Sequence, residues 1–516
     1  MQQHARKKRL RTRAEHTPSS LKVNPSRVKK TSVRSVGSDS LANRYGKSPA
    51  LTISARSVDL STSDHSNLLQ SSSTSSAIPE RRFTSCSAPD ERIGLLNFLG
   101  TSLDEGNKFT NANRRLLLLS LIVTCSLGQV ASTIYVPSVP AIASALETSV
   151  PGVQLTFVAY LAAFAVSMLV LGPLSDRCGR RRTMILGICL SALGSIACAA
   201  SPTIGFLIGA RVLQGIGLSG GLVVGRATVR DLYGEDGAAQ IIAGLSIVLT
   251  VLQALAPIPG GYLQAWIGWR ANFAAVAIFA VVALALVLRY VPDSPPREGS
   301  PRSESAALLA RTMRVSYRSL LQTRRFVAYA LTAAGAHAGF HIFTAGAPAV
   351  LIIGLGIPPQ DYGYYASLPP LGFLVGSFLS NRLTQRLGVD NLIAIGSAVL
   401  IPAGFAMVAL AALRFGSAYT IVGPMILICC GSGLITPNAV AGSLGVKVGI
   451  VGAASGLASF IQMIGAAGAT AALSLGGNGN PLVLAMVIAS AGLFALTAFG
   501  SLAQFARLPV KAGASV

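Results

Sequence analysis

From Leu116 onward, apolar stretches recur in close succession, and each has the ~20 residues needed to cross the ~30 Å hydrocarbon core of a bilayer. Lipid offers backbone groups no hydrogen-bonding partners, so a crossing must be a helix or a strand of a closed barrel. The length and unbroken apolarity of these stretches favour helices, and the sequence predicts an all-α membrane protein with twelve crossings. They begin near Leu116, Gly152, Thr183, Thr203, Gln240, Asn272, Phe326, Tyr362, Leu392, Ala418, Gly449 and Leu482.

Composition supports a lipid environment. The 516 residues are 51% hydrophobic and 12% charged, with a mean hydropathy of +0.58. A soluble chain of this length carries about twice that share of charged residues. An ordinary soluble globular protein is therefore excluded.

Residues 1–115 differ from the rest, since they hold 20 of the 42 Lys and Arg residues and a Ser-rich run at 71–76. They lack a sustained apolar period, which predicts a disordered, basic, cytoplasmic tail. The basic cluster at 6–13 could touch anionic lipid headgroups or nucleic acid, but a solvated tail is the preferred interpretation. A transit peptide is an alternative, although acidic residues interrupt the segment.

The distribution of basic residues predicts the orientation. With the tail inside, the cytoplasmic loops and C-terminus carry 19 bases and the other side carries two, Arg270 and Arg414. Basic residues stay with the cytoplasmic side during insertion. We therefore expect an even number of crossings with both termini in the cytoplasm.

The chain also divides into two halves. Leu174-Ser175-Asp176-Arg177, after the second crossing, is echoed by Leu379-Ser380-Asn381-Arg382 after the eighth. This predicts six-helix halves at 116–291 and 326–506, a cytoplasmic connector at 292–325 and a cytoplasmic C-terminus at 507–516. Such halves are typical of secondary transporters with a central cavity.

Three motifs stand out in the N-terminal half. They are the loop Gly172-Pro173-Leu174-Ser175-Asp176-Arg177-Cys178-Gly179-Arg180-Arg181-Arg182, the fourth-helix segment Arg211-Val212-Leu213-Gln214-Gly215-Ile216-Gly217, and the fifth-helix segment Ala256-Pro257-Ile258-Pro259-Gly260-Gly261. They resemble motifs of the major facilitator superfamily, and more narrowly those of its drug:proton antiporters of the bicyclomycin-resistance (Bcr/CflA) type. The resemblance covers nearly all of 116–506. It implies the major facilitator fold, export of small amphipathic drugs or metabolites in exchange for protons, and a multi-pass protein of a bacterial inner membrane.

The loop motif has a physical interpretation of its own. Its glycines permit a tight turn, its arginines hold the loop in the cytoplasm, and Asp176 can accept hydrogen bonds from neighbouring bases. The resemblance implies a conformational latch centred on Asp176, which we prefer to a role in topology alone. The latch residues are Gly172, Asp176, Arg177, Gly179, Arg180 and Arg181.

Arg211 follows a run without other charges, and burying it in hydrocarbon costs about 2.5–3.5 kcal/mol on insertion scales, so we expect a partner or an aqueous cavity. The resemblance implies that Arg211, with Gln214, influences proton movement or the electrostatics of the cavity. Pro257, Gly260 and Gly261 would let the fifth helix kink and a neighbour approach closely. Generic helix packing is the alternative for this group.

One position departs from the family pattern. Where the first helix usually carries an acid, two residues before Tyr135, this chain has Thr133, which does not titrate near neutral pH. His337 and His341 lie four residues apart on one face of the seventh helix. One interpretation is that they line the central cavity and serve either proton coupling, in place of the missing acid, or substrate contact. A pair of hydrogen-bonded interior histidines is an equally weighted interpretation.

Polar and aromatic residues at mid-membrane depth are candidates for the lining of a substrate cavity. They are Thr133, Tyr135, Gln154, Tyr160, Phe340, Asn438 and Gln462. Each could instead pack between helices.

The sequence contains no catalytic constellation, no complete phosphate-binding Gly-x-x-x-x-Gly-Lys-Ser/Thr motif and no metal-ligand spacing among its seven cysteines. We therefore expect a protein that is not an enzyme and has no metal or cofactor. Its expected partners are a small-molecule substrate, protons and lipid, without nucleic acid, and it is expected to be monomeric. A proton-uncoupled facilitator or exporter and, from another class, a transport-silent membrane sensor are the alternatives.

Overall fold

A computed structural model describes residues 111–293, 306–414, 416–446, 450–476 and 479–506. Within these ranges the chain is almost wholly helical and contains no strand. The predicted tail lies outside them up to residue 110, as do the C-terminal segment 507–516 and part of the connector, 294–305.

The N-terminal half contains the first six crossings. The first helix begins at Asn111, so residues 111–115, assigned above to the tail, belong to it. The helices are Asn111–Thr133, continued by the turn Val136–Ser138 and the short helix Val139–Ala145, then Val150–Cys178, Arg180–Ala199, Ile204–Gly234, Ile241–Trp266 and Trp269–Tyr290.

The fourth and fifth crossings follow each other as one helical run, Ile204–Leu255, with a break at Gly234. Its φ of +69° and ψ of −174° are accessible to glycine and strained for a residue with a Cβ atom. A second junction, where Pro257 begins the helix Pro257–Trp266, divides the fifth crossing.

The C-terminal half contains the other six crossings, preceded by a connector helix, Ala306–Leu321. The seventh crossing continues through a π-helical turn, Ala349–Gly354. The helices of this half are Arg324–Pro348, Pro359–Leu387, Val389–Ala412, Tyr419–Leu444, Val451–Leu475 and Pro481–Ala506.

The predicted set of twelve crossings in two six-helix halves is confirmed. Eleven of the described helices are both long and apolar enough to cross a membrane. The eighth, Pro359–Leu387, has 29 residues and is sufficiently long, but Asp361 at its start and Arg382 and Arg386 near its end make it less apolar.

Alternating crossings would place every second loop at the same end of the bundle, and side chains of such loops are in contact. At one end of the bundle, called here the Arg-rich end, side chains from different loops or helix ends pair: Arg180 with Asp231, Arg181 with Asp293, and Tyr329 with Asp390. At the opposite end the pairs are Arg270 with the Ser201 carbonyl, Tyr262 with Tyr364, and Tyr365 with Tyr419. Successive crossings therefore run in alternating directions.

The halves are packed in corresponding ways. In the first, glycines of the fourth crossing lie against the first, second and third crossings. In the other, the tenth crossing packs on the seventh, eighth and ninth. Between the halves, the second crossing lies against the eleventh and the fifth against the eighth.

The two helices that carry the internal repeat are alike. The second and eighth helices each have 29 residues, and each is followed by a glycine of positive φ, Gly179 (+92°) and Gly388 (+79°). Ser175 and Ser380, which correspond in the sequence repeat, are both buried.

Candidate functional site

Arg211 lies at the centre of the N-terminal half with no exposed surface. Its Nη1 donates to the side-chain oxygen of Gln214 at 2.6 Å and lies 3.3 Å from the Ala131 carbonyl oxygen. The guanidinium carbon is 4.3 Å from the ring centroid of Tyr135 and 4.5 Å from that of Tyr160. We call these residues the Arg211 cage.

The cage compensates the buried charge only in part. Cation–π contacts are worth about 0.5–2 kcal/mol each. Nε and Nη2 of Arg211 have no hydrogen-bond partner, and Arg211 forms no ion pair among the described residues. The partners of Arg211 are therefore the Gln214 amide and the rings of Tyr135 and Tyr160. Because none of them is negatively charged, a net positive charge stays buried.

Gln214 connects the cage to the third crossing, because its Nε2 donates to the hydroxyl oxygen of Ser195 at 2.8 Å. Tyr160 is fixed by its hydroxyl, which donates to the Gly128 carbonyl oxygen at 2.9 Å. Tyr135 and Tyr160, proposed from sequence as cavity residues, thus have their rings against Arg211.

A small cavity lies between the two halves. From the N-terminal half it is lined by Thr133, Val136, Gln253 and Pro257, and from the C-terminal half by Phe340, Phe343, Thr344, Tyr362, Ala366 and Pro370. Of the cavity candidates named from sequence, Thr133 and Phe340 lie here. Gln253 and Tyr362 were missed; an amide side chain in an apolar crossing was the available signal for Gln253.

The polar groups of this central cavity differ in whether they already form hydrogen bonds within the protein. The Thr133 hydroxyl lies 3.2 Å and 3.1 Å from the carbonyl oxygens of Gln129 and Gln253, and the Thr344 hydroxyl donates to the Phe340 carbonyl. The Tyr362 side chain is completely buried, and its hydroxyl has no hydrogen-bond partner in the part of the chain that the structure describes. A buried hydroxyl left unpaired is unfavourable by about 1–3 kcal/mol, so Tyr362 is the group that a bound molecule could satisfy.

His337 and His341 meet on one face of the seventh crossing, with ring centroids 4.8 Å apart. His341 stacks on Phe157 of the second crossing at 6.0 Å, and His337 lies 6.5 Å from Phe373 of the eighth. The pair therefore lies where the seventh crossing meets both the opposite half and its own neighbour.

The other three polar candidates lie outside the lining of the central cavity. Gln154 joins the halves, because its Nε2 donates to the Ala345 carbonyl oxygen at 3.2 Å. Asn438 donates to Ser380 at 2.7 Å and to the Leu434 carbonyl within the C-terminal half. Gln462 is buried in the eleventh crossing.

At the opposite end, backbones of the two halves touch directly. A Cβ atom on Gly261 would meet the Pro359 carbonyl oxygen, and one on Gly363 would lie 2.7 Å from the Pro257 carbonyl oxygen. Gly260 faces the Ile134 carbonyl within the N-terminal half. We call Gly261 and Gly363, with the Pro257 and Pro359 carbonyls, the main-chain seam.

The loop at the Arg-rich end is held by ion pairs within the N-terminal part of the chain. Arg180 bridges Asp176 at 2.6 Å and Asp231 at 2.8 Å, while Arg181 pairs with Asp293 at 2.8 Å. Positive φ at Gly179 forms the turn between the second and third crossings. Arg177 is half-buried, and Gly172 has ordinary van der Waals space beside Val223.

Comparison with known proteins identifies the architecture. The family model of the Major Facilitator Superfamily matches residues 121–470. The chain belongs to the Major Facilitator Superfamily. The resemblance drawn from its motifs is thereby confirmed, and membership together with the apolar helices makes it a multi-pass membrane protein.

Relatives within the superfamily carry drug-resistance names. Multidrug resistance protein D of Escherichia coli (strain K12) is 28% identical over 364 residues, covering 69% of this chain and 88% of that protein. The bicyclomycin resistance protein homolog of Haemophilus influenzae is 24% identical over 301 residues, covering 58% and 74%. These names agree with the narrower resemblance to the bicyclomycin-resistance type.

A solved structure of a superfamily fold is also similar. A bacterial homolog of the human lysosomal transporter Spinster, in an inward-facing conformation, aligns with a TM-score of 0.59 at 16% identity, covering 77% of this chain and 98% of that one. At this identity the likeness shows the shared fold alone.

Proposed function

We propose that this protein is a secondary active transporter that exports small amphipathic drugs or metabolites in exchange for protons. The observation that carries the proposal is a cavity between two six-helix halves that is lined by aromatic, proline and a few polar residues. Such a lining suits a small apolar solute with one or two hydrogen-bonding groups. The drug-resistance names of relatives support export.

The Arg-rich end is proposed to face the cytoplasm, because basic residues are retained on that side. The main-chain seam then closes the cavity toward the outside. A state closed toward the outside corresponds to the inward-facing conformation named for the similar solved structure.

We propose that the loop 172–182 acts as a latch, with Arg180 at its centre rather than Asp176 alone. The Arg180 side chain is 11% exposed and pairs with two carboxylates, whereas Asp176 is 48% exposed. Pairs this exposed are individually weak, but one arginine shared by two helix ends couples the position of the loop to that of the fourth crossing.

Drug accumulation in cells that lack other efflux pumps tests the function. Cells expressing the protein should accumulate less chloramphenicol than control cells, and a protonophore should abolish the difference. Export that resists the protonophore would support the uncoupled facilitator instead. Unchanged accumulation across a panel of amphipathic drugs, with the protein present in the membrane, would contradict export.

Proton coupling is proposed to use the His337–His341 pair, because Thr133 does not titrate and the rings lie in contact beside the opposite half. Replacing both histidines with Gln should abolish solute-driven proton release from proteoliposomes while solute binding persists. Each single variant serves as the control, since one titratable ring remains. Proton release equal to wild type in the double variant would remove the pair from the coupling mechanism.

A further inference from the structure

We propose that the central cavity selects uncharged or anionic amphipathic solutes and discriminates against organic cations. This inference rests on the proposed transport function and specifies its substrate class. It follows from the charges in and behind the cavity wall.

The cavity wall supplies hydrogen bonds and no negative charge. Its polar residues are Thr133, Gln253, Thr344 and Tyr362, and none of the lining residues is Asp or Glu. Asp361, next to Tyr362 in sequence, is exposed at the start of the eighth helix. An organic cation entering the cavity would lose its hydration without gaining a carboxylate partner.

A positive charge contacts residues that are close in sequence to two lining residues of the cavity wall. The Arg211 guanidinium contacts the ring of Tyr135, which precedes the lining residue Val136, and lies near the carbonyl of Ala131, two residues before Thr133. Since no carboxylate neutralises Arg211 among the described residues, its field reaches the cavity through a medium of low dielectric constant. This field favours anions and opposes cations.

The remaining titratable neighbours cannot reverse the sign of this field. His337 and His341 lie on the seventh crossing, which also supplies Phe340, Phe343 and Thr344 to the cavity. A histidine is neutral or positive, so protonation of the pair would strengthen the discrimination against cations.

Tyr362 supplies the specific contact. Its side chain lines the cavity and its buried hydroxyl has no hydrogen-bond partner among the described residues, so this hydroxyl is available to donate to a carbonyl, nitro or carboxylate oxygen of the solute. An oxygen-rich neutral drug or a carboxylate matches this donor. A quaternary cation has no acceptor atom for this hydroxyl.

Two ions of nearly the same size and shape test the inference. In binding titrations with the full-length protein in nonionic detergent, tetraphenylborate should bind at least about tenfold more tightly than tetraphenylphosphonium, since each 1.4 kcal/mol of electrostatic preference is one factor of ten. Equal affinity, or a preference for the phosphonium, would overturn the inference.

Variants at the wall sharpen the test. Thr133→Asp should shift the borate-to-phosphonium affinity ratio toward the cation by at least about tenfold, whereas Thr133→Asn, of the same shape, should keep the ratio. Tyr362→Phe should weaken chloramphenicol binding by roughly two- to tenfold, the range for one hydrogen bond, and keep the ratio. An unmoved ratio in Thr133→Asp would count against the cavity as the source of the preference.

The outcomes separate this inference from the proposed function. Export of chloramphenicol together with equal binding of the two ions would retain the transporter and refute the charge selectivity. Selective binding without any export in cells would refute the transporter and support the selectivity. Failure of chloramphenicol and both ions to bind would refute the inference.

Discussion

Gly261→Val is expected to shift the protein out of the state described here and to reduce export strongly. The added side chain would meet the Pro359 carbonyl oxygen and lie within 2.9 Å of the Gln360 Cα atom. These are backbone atoms, which cannot rotate away as a side chain can. Overpacking costs about 1–3 kcal/mol, which corresponds to roughly a 5- to 150-fold change in the equilibrium between closed and open states.

Distances between spin labels measure this shift. Ser144 and Ser417 are exposed on the two halves at the opposite end and can carry the labels in a background without native cysteines. Gly261→Val should lengthen the distance between them. Gly423→Val is the matched control, because a Cβ atom on Gly423 has no neighbour within 4 Å. If the two valine variants gave the same distances and the same export, the seam would not be the closing surface.

Gln214→Leu is expected to destabilise the protein more than Arg211→Met does. Removing Gln214 leaves Arg211 buried without its shortest hydrogen bond, and an uncompensated buried charge costs about 3–5 kcal/mol. Removing Arg211 itself eliminates the charge and leaves the Gln214 amide bonded to Ser195. Arg211→Met is the larger change in side-chain chemistry, yet it is expected to lower the stability less than Gln214→Leu.

Thermal unfolding in detergent compares the variants. With about 2–4 °C per kcal/mol for a unit of 150–250 residues, Gln214→Leu should lower the apparent Tm by roughly 6–20 °C. Gln129→Leu is the control, since this half-buried residue of the first crossing lies outside the Arg211 cage. A larger loss of Tm in Arg211→Met would mean that the aromatic rings stabilise the charge by more than its burial costs.

The crossings could be predicted because lipid imposes length and apolarity on any segment that spans it. Their alternation could be predicted because basic residues mark one side. The connector helix Ala306–Leu321 was missed, since Pro292, Pro295, Pro296 and Pro301 indicated a loop. All four prolines precede the helix, and Pro restricts only the helix interior and the residue before it.

The site was predicted less completely. Arg211 could be identified as a buried charge in need of partners, and Gln214 lies on its own helix, but its other partners come from the first and second crossings and depend on how those helices are rotated. Rotation cannot be inferred when nearly every face of a helix is apolar. The same reason explains why Gln253 and Tyr362 were missed and why the contacts of Tyr135 and Tyr160 with Arg211 were not predicted.

The main-chain seam closes one end of the molecule with peptide groups and glycines. The shape of a backbone does not change when a side chain beside the cavity is substituted. Residues such as Gln253 or Phe340 can therefore be substituted, which changes the solute that binds, while the backbone contact at the main-chain seam stays the same. A transporter built in this way can acquire new substrate specificities by single substitutions, without a change in the backbone surfaces that meet when it closes.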